Sequence, residues 1–289
     1  MRVGSWIVAA AVMLTPGAAS AESPEEHWRQ VVASESEDMA TLLKIQDEAI
    51  LADGAVASVV GVAGKPESYH WQGDAPDGGV ATVTFRDGQL TATVDGQTFD
   101  GAALAAGVHV GAGLDIQTDG TPNRSQGARM VLYNAARPEA VNFKGLDYFP
   151  YDPAYRVTAT FTPDPKMPAR MFRVSKGPDR PFYHAGDATF TLNGKTFTLP
   201  LYTSKTDPRG IDILSAFFVD KLTGTDAYDA GRYLNIQGFD AFPPQTLTLD
   251  FNFAYNPLCA RSAFYSCPIA TDLIDMAVRA GEKSPHLAH

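Results

Sequence analysis

One dipeptide limits the fold more than any other feature. Asn193-Gly194 sits between Phe190-Thr191-Leu192 and Thr196-Phe197-Thr198-Leu199, two runs that alternate apolar and polar residues. A two-residue type I′ turn needs positive φ at both central positions, and Asn-Gly supplies that readily. Residues 187–201 therefore read as an antiparallel β-hairpin. The same grammar recurs along the chain. Residues 80–85 and 89–94 alternate around Arg86-Asp87-Gly88, a second hairpin signal. Residues 55–62, 127–134, 155–162, 211–220, 232–236 and 246–252 also read as strands. Short strands recurring about every 8–12 residues, separated by turn residues, predict a mainly β fold. The class is an antiparallel β-sandwich or barrel-like arrangement, preceded by an N-terminal helix.

That helix has a clear start. Ser23 is a good N-cap, Pro24 suits the first helical position, and Glu26 completes a capping box. Trp28, Val31, Val32, Met39, Leu42, Leu43, Ile45, Ala49 and Ile50 recur at helical spacing, and Asp53-Gly54 supplies a stop. The acidic residues between them are expected to face solvent. Residues 34–38 are a candidate kink.

Residues 1–21 read as a secretory signal peptide. Arg2 gives a positive start, residues 6–14 are apolar, and Ala19-Ser20-Ala21 has small residues at the cleavage positions. The apolar run is short of the roughly 20 residues that span a bilayer, and Pro16 interrupts it. The expected location is periplasmic or extracellular, with no membrane span after signal removal. An oxidising compartment makes the isolated pair Cys259 and Cys267 read as a disulfide. Closing so short a loop would stabilise by roughly 2.5 kcal/mol on the chain-entropy model.

The mature chain divides on composition into a helical segment (22–53), a β-rich half (54–162) and a second β-rich half (163–289). The Pro163, Pro165, Pro168 stretch marks the boundary; the alternative is one continuous domain over 54–283. At 45% hydrophobic the chain can bury a real core, which excludes global disorder. A formal net charge of -10 argues against nucleic acid or anionic lipid as a partner. The pattern is silent on oligomeric state.

The C-terminal half carries a more specific signature. Its parts are Phe143-Lys144-Gly145, Tyr148-Phe149-Pro150, Asp152-Pro153-Ala154-Tyr155 and the Asn193-Gly194 hairpin. Further on come Thr223-Gly224, Tyr228, Gly231-Arg232-Tyr233-Leu234, Leu249-Asp250-Phe251-Asn252 and Ala254-Tyr255-Asn256-Pro257. Cys259-Ala260, Cys267-Pro268 and Ala280-Gly281-Glu282-Lys283 close it. Over roughly residues 141–283 the chain resembles the domain of unknown function 1684 family. The resemblance implies a β-rich fold and supplies no reaction. Residues 269–273 depart from the family pattern, and residues 61–73 match its N-terminal half poorly.

The candidate site is a polar cluster in otherwise apolar strands. Tyr228, Arg232, Asp250, Asn252, Tyr255 and Asn256 form it. Strand alternation would place Asp250 and Asn252 on one face, where a carboxylate beside a carboxamide can orient a polar ligand. The competing reading is a local turn and cap. Arg232 is the natural partner for Asp250, as a bidentate lock or as an anchor for an anion. Glu282 is expected to pair with Lys283 or Arg279; paired instead with Asp250 it could act as the acid or base of a hydrolase. His184 beside Asp187 is a second candidate base, against a plain surface histidine. Tyr148, Phe149, Tyr151 and Tyr155 suit either a sugar ring or loop packing.

No catalytic residue is assigned. The six histidines lack zinc spacing, so no metal site is expected. There is no P-loop, dinucleotide fingerprint or nucleophile elbow, and no cofactor is expected. The reading is an exported protein that binds a small polar ligand, a sugar or an envelope fragment. The alternatives are a hydrolase and a structural envelope protein.

Overall fold

The computed structural model describes residues 22–73, 79–118, 122, 124, 125 and 127–285. The expected signal peptide, 1–21, lies outside them. Helix α1 (Pro24–Leu42) begins with the capping box expected of it. The Glu26 amide donates to Ser23 Oγ at 3.2 Å, and the Ser23 amide donates to Glu26 Oε2 at 3.1 Å. The helix runs unbroken through residues 34–38.

It also stops earlier than the spacing predicts. Ile45–Leu51 is a strand, β1. Its apolar residues fit both periods, and pairing decides between them. β1 takes an antiparallel partner whose Met130 and Ala128 face Ala49 and Leu51. Ile45 and Leu51 are buried while Ile50 is 70% exposed, the two-residue alternation of a strand. Local propensity is a weak prior, and a tertiary ladder overrides it here.

Two sheets build the N-terminal half. β2 (Val56–Val62), β3 (Lys65–Gly73), β4 (Ala81–Arg86), β5 (Gln89–Val94) and β6 (Gln97–Asp100) form one, in the order β3-β2-β4-β5-β6. After a short helix α2 (Gly101–Ala106), β7 (Val108–Gly111), β8 (Leu114–Thr118) and β9 (Ala128–Asn134) join β1, in the order β1-β9-β8-β7. One core, including Val59, Phe85, Leu104, Ile116 and Leu132, fills the space they enclose.

The second half follows helix α3 (Pro138–Asn142). It comprises β10 (Arg156–Pro163), β11 (Ala169–Phe172), β12 (Arg180–Leu192), β13 (Lys195–Thr203), β14 (Leu214–Val219), β15 (Arg232–Ile236), β16 (Thr246–Asp250) and β17 (Asp272–Leu273). The main path is β15-β14-β13-β12-β10-β16, with β11 on β12 and β17 on β14. Its pairing is antiparallel except at β14–β17. The fold is thus mainly antiparallel β with an N-terminal helix, as the sequence predicts. Both hairpin signals are where the sequence puts them: Asn193 and Gly194 have φ of 48° and 75°, and Asp87 and Gly88 have 55° and 76°.

Alternation along these strands covers both faces of the sheet. Leu201, Ala216, Phe218, Leu234 and Leu249 enter one core, and Tyr202, Phe217 and Tyr233 enter an aromatic cluster on the other face. Helix α1 belongs physically to this half. Trp28 Nε1 donates to the Asn252 carbonyl at 2.9 Å, and its ring lies 6.1 Å from Tyr148 and 5.7 Å from Tyr151. The Leu146 amide donates to Ser36 Oγ at 3.2 Å, and Tyr265 donates to the Leu42 carbonyl at 2.8 Å. Among the described residues no helix is long and apolar enough to cross a membrane.

Candidate functional site

The site is built on a strap, residues 278–283, pinned from below by Arg232. Gly231 has φ +86°, and a Cβ there would lie 2.7 Å from the Phe218 carbonyl, so only glycine lets the chain enter β15 at this angle. Arg232 then turns fully inward. Its Nη2 donates to Asp220 Oδ2 and to the Val278 carbonyl, both at 2.9 Å, and its Nη1 donates to the Ala280 carbonyl. Asp220 also accepts the Val278 amide at 2.8 Å. Burial lowers the Arg232 pKa and the Asp220 charge opposes that shift. The expected Arg232–Asp250 pair does not form. Asp250 ends β16 and bonds Arg156 at 3.0 Å.

The strap then passes between two segments. The Phe149 amide donates to the Gly281 carbonyl at 2.9 Å, and the Lys283 amide to the Asp147 carbonyl at 2.8 Å. Gly281 (φ +81°) is pressed against residue 254, and a Cβ would meet that carbonyl oxygen at 2.5 Å. This crowding delivers Glu282 into the interior, where the residue is 1% exposed. Its carboxylate accepts from Arg261 Nη2 on one oxygen and from the Asn256 amide, at 2.7 Å, on the other. Burial raises its pKa, and Arg261 opposes the rise. The sequence pairs Glu282 with Lys283 or Arg279. Those two instead bond Asp147 and Asp226 at the surface, because a buried carboxylate needs an interior partner.

A cavity of about 250 Å³ lies over Glu282. Glu35, Asp38, Met39 and Leu42 of α1 form one wall. Tyr148, Tyr255, Asn256 and Leu258 form the facing wall, with Asn235 at the rim. Tyr148 donates to Glu35 Oε2 at 3.2 Å. Glu35 is an exposed residue overall, yet its carboxyl end lies against Tyr148, and loss of solvent there raises its pKa. Tyr255 is pushed up to about 12, chiefly by burial. Asn256 is 2% exposed; its Nδ2 donates to the Lys283 carbonyl at 2.6 Å. Its Oδ1 accepts nothing among the described residues. A second cavity of about 420 Å³, lined by Thr203, Lys205, Asp212 and Tyr233, shares Asn235 and Tyr255 with the first. Asn235 Nδ2 donates to the Tyr255 hydroxyl at 3.1 Å between them.

Residues 141–283 match the family model described as "Protein of unknown function (DUF1684)". The chain belongs to this family. A solution NMR structure of an uncharacterised protein from Haloarcula marismortui is 33% identical, covering 54% of this chain and 85% of that one, with a TM-score of 0.43. No curated protein matches. Tyr148, Asn235, Tyr255, Asn256, Leu258 and Glu282 all fall inside the matched residues. The α1 wall falls outside them.

The six predicted site residues separate into four places. Tyr255 and Asn256 line the cavity. Arg232 is the buried lock. Asp250 and Asn252 form a clamp: Asn252 Nδ2 donates to Asp250 Oδ1 at 2.9 Å, and Asn252 Oδ1 accepts the Asp152 amide at 3.0 Å. Those two meet through a 3₁₀ turn, Phe251–Phe253, that follows β16, not through strand alternation. Tyr228 lies beside Cys259 and is pushed up to about 12, mainly by burial.

No disulfide joins Cys259 and Cys267, correcting the sequence reading. The Cys259 amide donates to Cys267 Sγ at 3.3 Å, and the two remain free thiols in hydrogen-bonding contact. Their mutual hydrogen bond lowers Cys259 and raises Cys267, with Ser175 and Tyr228 assisting at Cys259. His184 is on β12, not on a surface loop. Its ring nitrogens face Asp164 and Asp187 at 3.1 and 3.0 Å, which leaves no nitrogen directed at a substrate. Phe149 and Tyr155 pack into apolar clusters, Tyr151 packs on Trp28, and Tyr148 alone of that group lines the cavity. Among the described residues no group of His, Cys, Asp and Glu could hold a metal ion.

Glu35 and Asp38 are exposed, as the sequence predicts, but they also line the cavity, and sequence reasoning did not single them out as site residues. The available signal was their spacing with Met39 and Leu42, one stripe of a helix at i, i+3, i+4 and i+7. Arg261 and Asp220 carried no signal at all. The thiol pair gives a direct prediction. Native protein should react with iodoacetamide at one fast thiol, with an inflection below the usual thiol value of about 8.5. Cys259→Ser should abolish that phase, and unreduced protein in urea should show two titratable thiols. Absence of any free thiol would contradict the arrangement.

Proposed function

We propose that this is an exported protein that binds a small polar ligand, a sugar or an envelope fragment, in the cavity between α1 and the family signature. One observation carries the reading. Asn256 Oδ1 is a buried acceptor in the wall of a cavity, with no donor among the described residues. A buried acceptor left unsatisfied costs about 1–3 kcal/mol, and a turn of the Asn256 side chain toward the cavity would let a ligand N–H or O–H recover it. Tyr255, Asn235 and Tyr148 add hydroxyl and amide groups around the same space. Few polar groups on a largely preformed concave wall is the usual composition of a small-ligand site.

The hydrolase alternative is weaker on the same geometry. Asp250 is held by Arg156 and Asn252, Glu282 by Arg261 and Asn256, and His184 by two carboxylates. Each is occupied as a structural partner. The structural-protein alternative accounts for Arg232, Asp250 and Asn252, but it leaves the open acceptor of Asn256 without a role.

Export is tested by expressing the full chain in a bacterium and sequencing the N-terminus of the soluble product. The expected mature chain begins at Glu22, and retention of Met1 would refute export. Ligand binding is tested by thermal shift with sugars and glycan fragments. A ligand at 100 times its Kd adds about 2.7 kcal/mol, which moves the melting temperature by several degrees. Leu258→Trp, which fills the cavity from a half-buried position, should abolish any such shift while leaving the ligand-free melting temperature near wild type. A shift that survives this substitution places the ligand elsewhere.

A further inference from the structure

The two cysteines touch, yet their surroundings differ, and the difference gives them different chemistry. Cys267 is 8% exposed and is fixed on both sides. Its amide donates to Ser175 Oγ at 3.1 Å, and its carbonyl accepts the Ser175 amide at 2.9 Å. The next carbonyl, of Pro268, accepts the Tyr233 hydroxyl, and the Ile269 amide donates to the Arg173 carbonyl at 2.8 Å. Cys259 is only half-buried, in the 3₁₀ turn Leu258–Ala260. Its amide donates to Cys267 Sγ at 3.3 Å. The buried sulfur therefore lies against the backbone of the more open one.

Hydrogen bonds separate the two thiols further. Cys259 Sγ accepts first from the Cys267 thiol, then from the side chains of Ser175 and Tyr228. Three donors on one sulfur favour its thiolate. The bond that Cys267 gives, together with burial, keeps the proton on Cys267. Thiolates, not thiols, attack disulfides, and access decides which of two sulfurs is reached. The open sulfur is thus the one that attacks, and the closed sulfur, one contact behind it, is the one placed to resolve. The same donors favour the reduced pair, because an S–S bond removes the thiolate that they stabilise. A bond formed here would reopen more readily than a permanent cross-link.

We propose that Cys259 and Cys267 are a thiol–disulfide exchange couple that reacts with small-molecule disulfides. The Cys259 thiolate attacks one sulfur of the small disulfide. A mixed disulfide forms on Cys259 and one small thiolate leaves. Cys267 then gives up its proton and attacks the Cys259 sulfur, and the second small thiolate leaves. The protein pair loses two electrons and two protons, and the small disulfide gains both as two thiols. The dithiol described above is one of the couple's two working states, which sets it apart from a fixed structural bridge. The proposal uses neither cavity and stands apart from the ligand reading.

The test uses the native protein, with oxidised glutathione as the probe and mass spectrometry as the readout. The wild type should lose two hydrogens, release two glutathione thiols per chain and retain no glutathione. Excess reduced glutathione, without denaturant, should return the dithiol. Cys267→Ser should stop at one glutathione held on Cys259. Cys259→Ser should not react while folded. Brief exposure of the wild type, acid quenching and peptide mapping check the order without any variant, and the first adduct should lie on the Cys259 peptide. A first adduct on Cys267 overturns the proposal, as does a stable mixed disulfide in the wild type. A bond that reduced glutathione cannot reopen in the folded protein also overturns it, since that bond would be a structural cross-link. Absence of any reaction overturns it as well.

Discussion

The buried guanidinium of Arg232 is the contact on which the rest of this half depends. It is one of the largest fully buried side chains, and its three oxygen partners come from two separate segments, Asp220 and residues 278–280. A charge so deep is costly to desolvate, and only a complete set of acceptors makes it tolerable. Those acceptors include two backbone carbonyls of a strap that has no ladder partner of its own over that stretch. The arginine thereby converts an irregular segment into a fixed one. Fixing Val278 and Ala280 leaves Gly281 and Glu282 no freedom to turn outward, and Glu282 in turn orders Arg261 and the Asn256 amide.

Seen this way, the polar cluster has a division of labour. Arg232, Asp250 and Asn252 hold pieces of chain together, and Tyr255, Asn256 and Glu282 are among the residues that line the cavity. Helix α1 closes the space from outside the matched family residues. Its Trp28 bond to the Asn252 carbonyl and its packing on Tyr148 and Tyr151 set the wall that carries Glu35 and Asp38. The segment that looks most like an N-terminal appendage in sequence is thus structurally part of the C-terminal half.

How much of this was legible in the sequence follows from the range of each interaction. The hairpins at Asn193-Gly194 and Asp87-Gly88 were readable because a positive-φ requirement is local. The start of α1 was readable because a capping box spans four residues. Its end was not, because residues 45–51 satisfy two periods and only β9 selects between them. The cluster around Arg232 and Asp250 was recognisable as unusual polarity among apolar strands. Its pairing was not, because Asp220 and Asp250 are equally plausible carboxylates until the sheet order is known. Cys259 and Cys267 were correctly seen as neighbours, but proximity alone does not form the bond. Glu35 was hidden among the other acids of α1, since which helical face is covered depends on residues more than a hundred positions away.

The central claim is that Arg232 and Asp220 act as one unit in holding the strap. A double-mutant cycle by urea unfolding tests it most directly, with Arg232→Met, Asp220→Leu and the combination. Each single change leaves a buried charge without its partner and should cost about 3–5 kcal/mol. The double change should cost less than the sum of the singles by about 0.5–3 kcal/mol, the range for directly coupled side chains. It will not be neutral, because the Val278 and Ala280 carbonyls lose their donor as well. Costs that add to within about 0.5 kcal/mol would contradict the account.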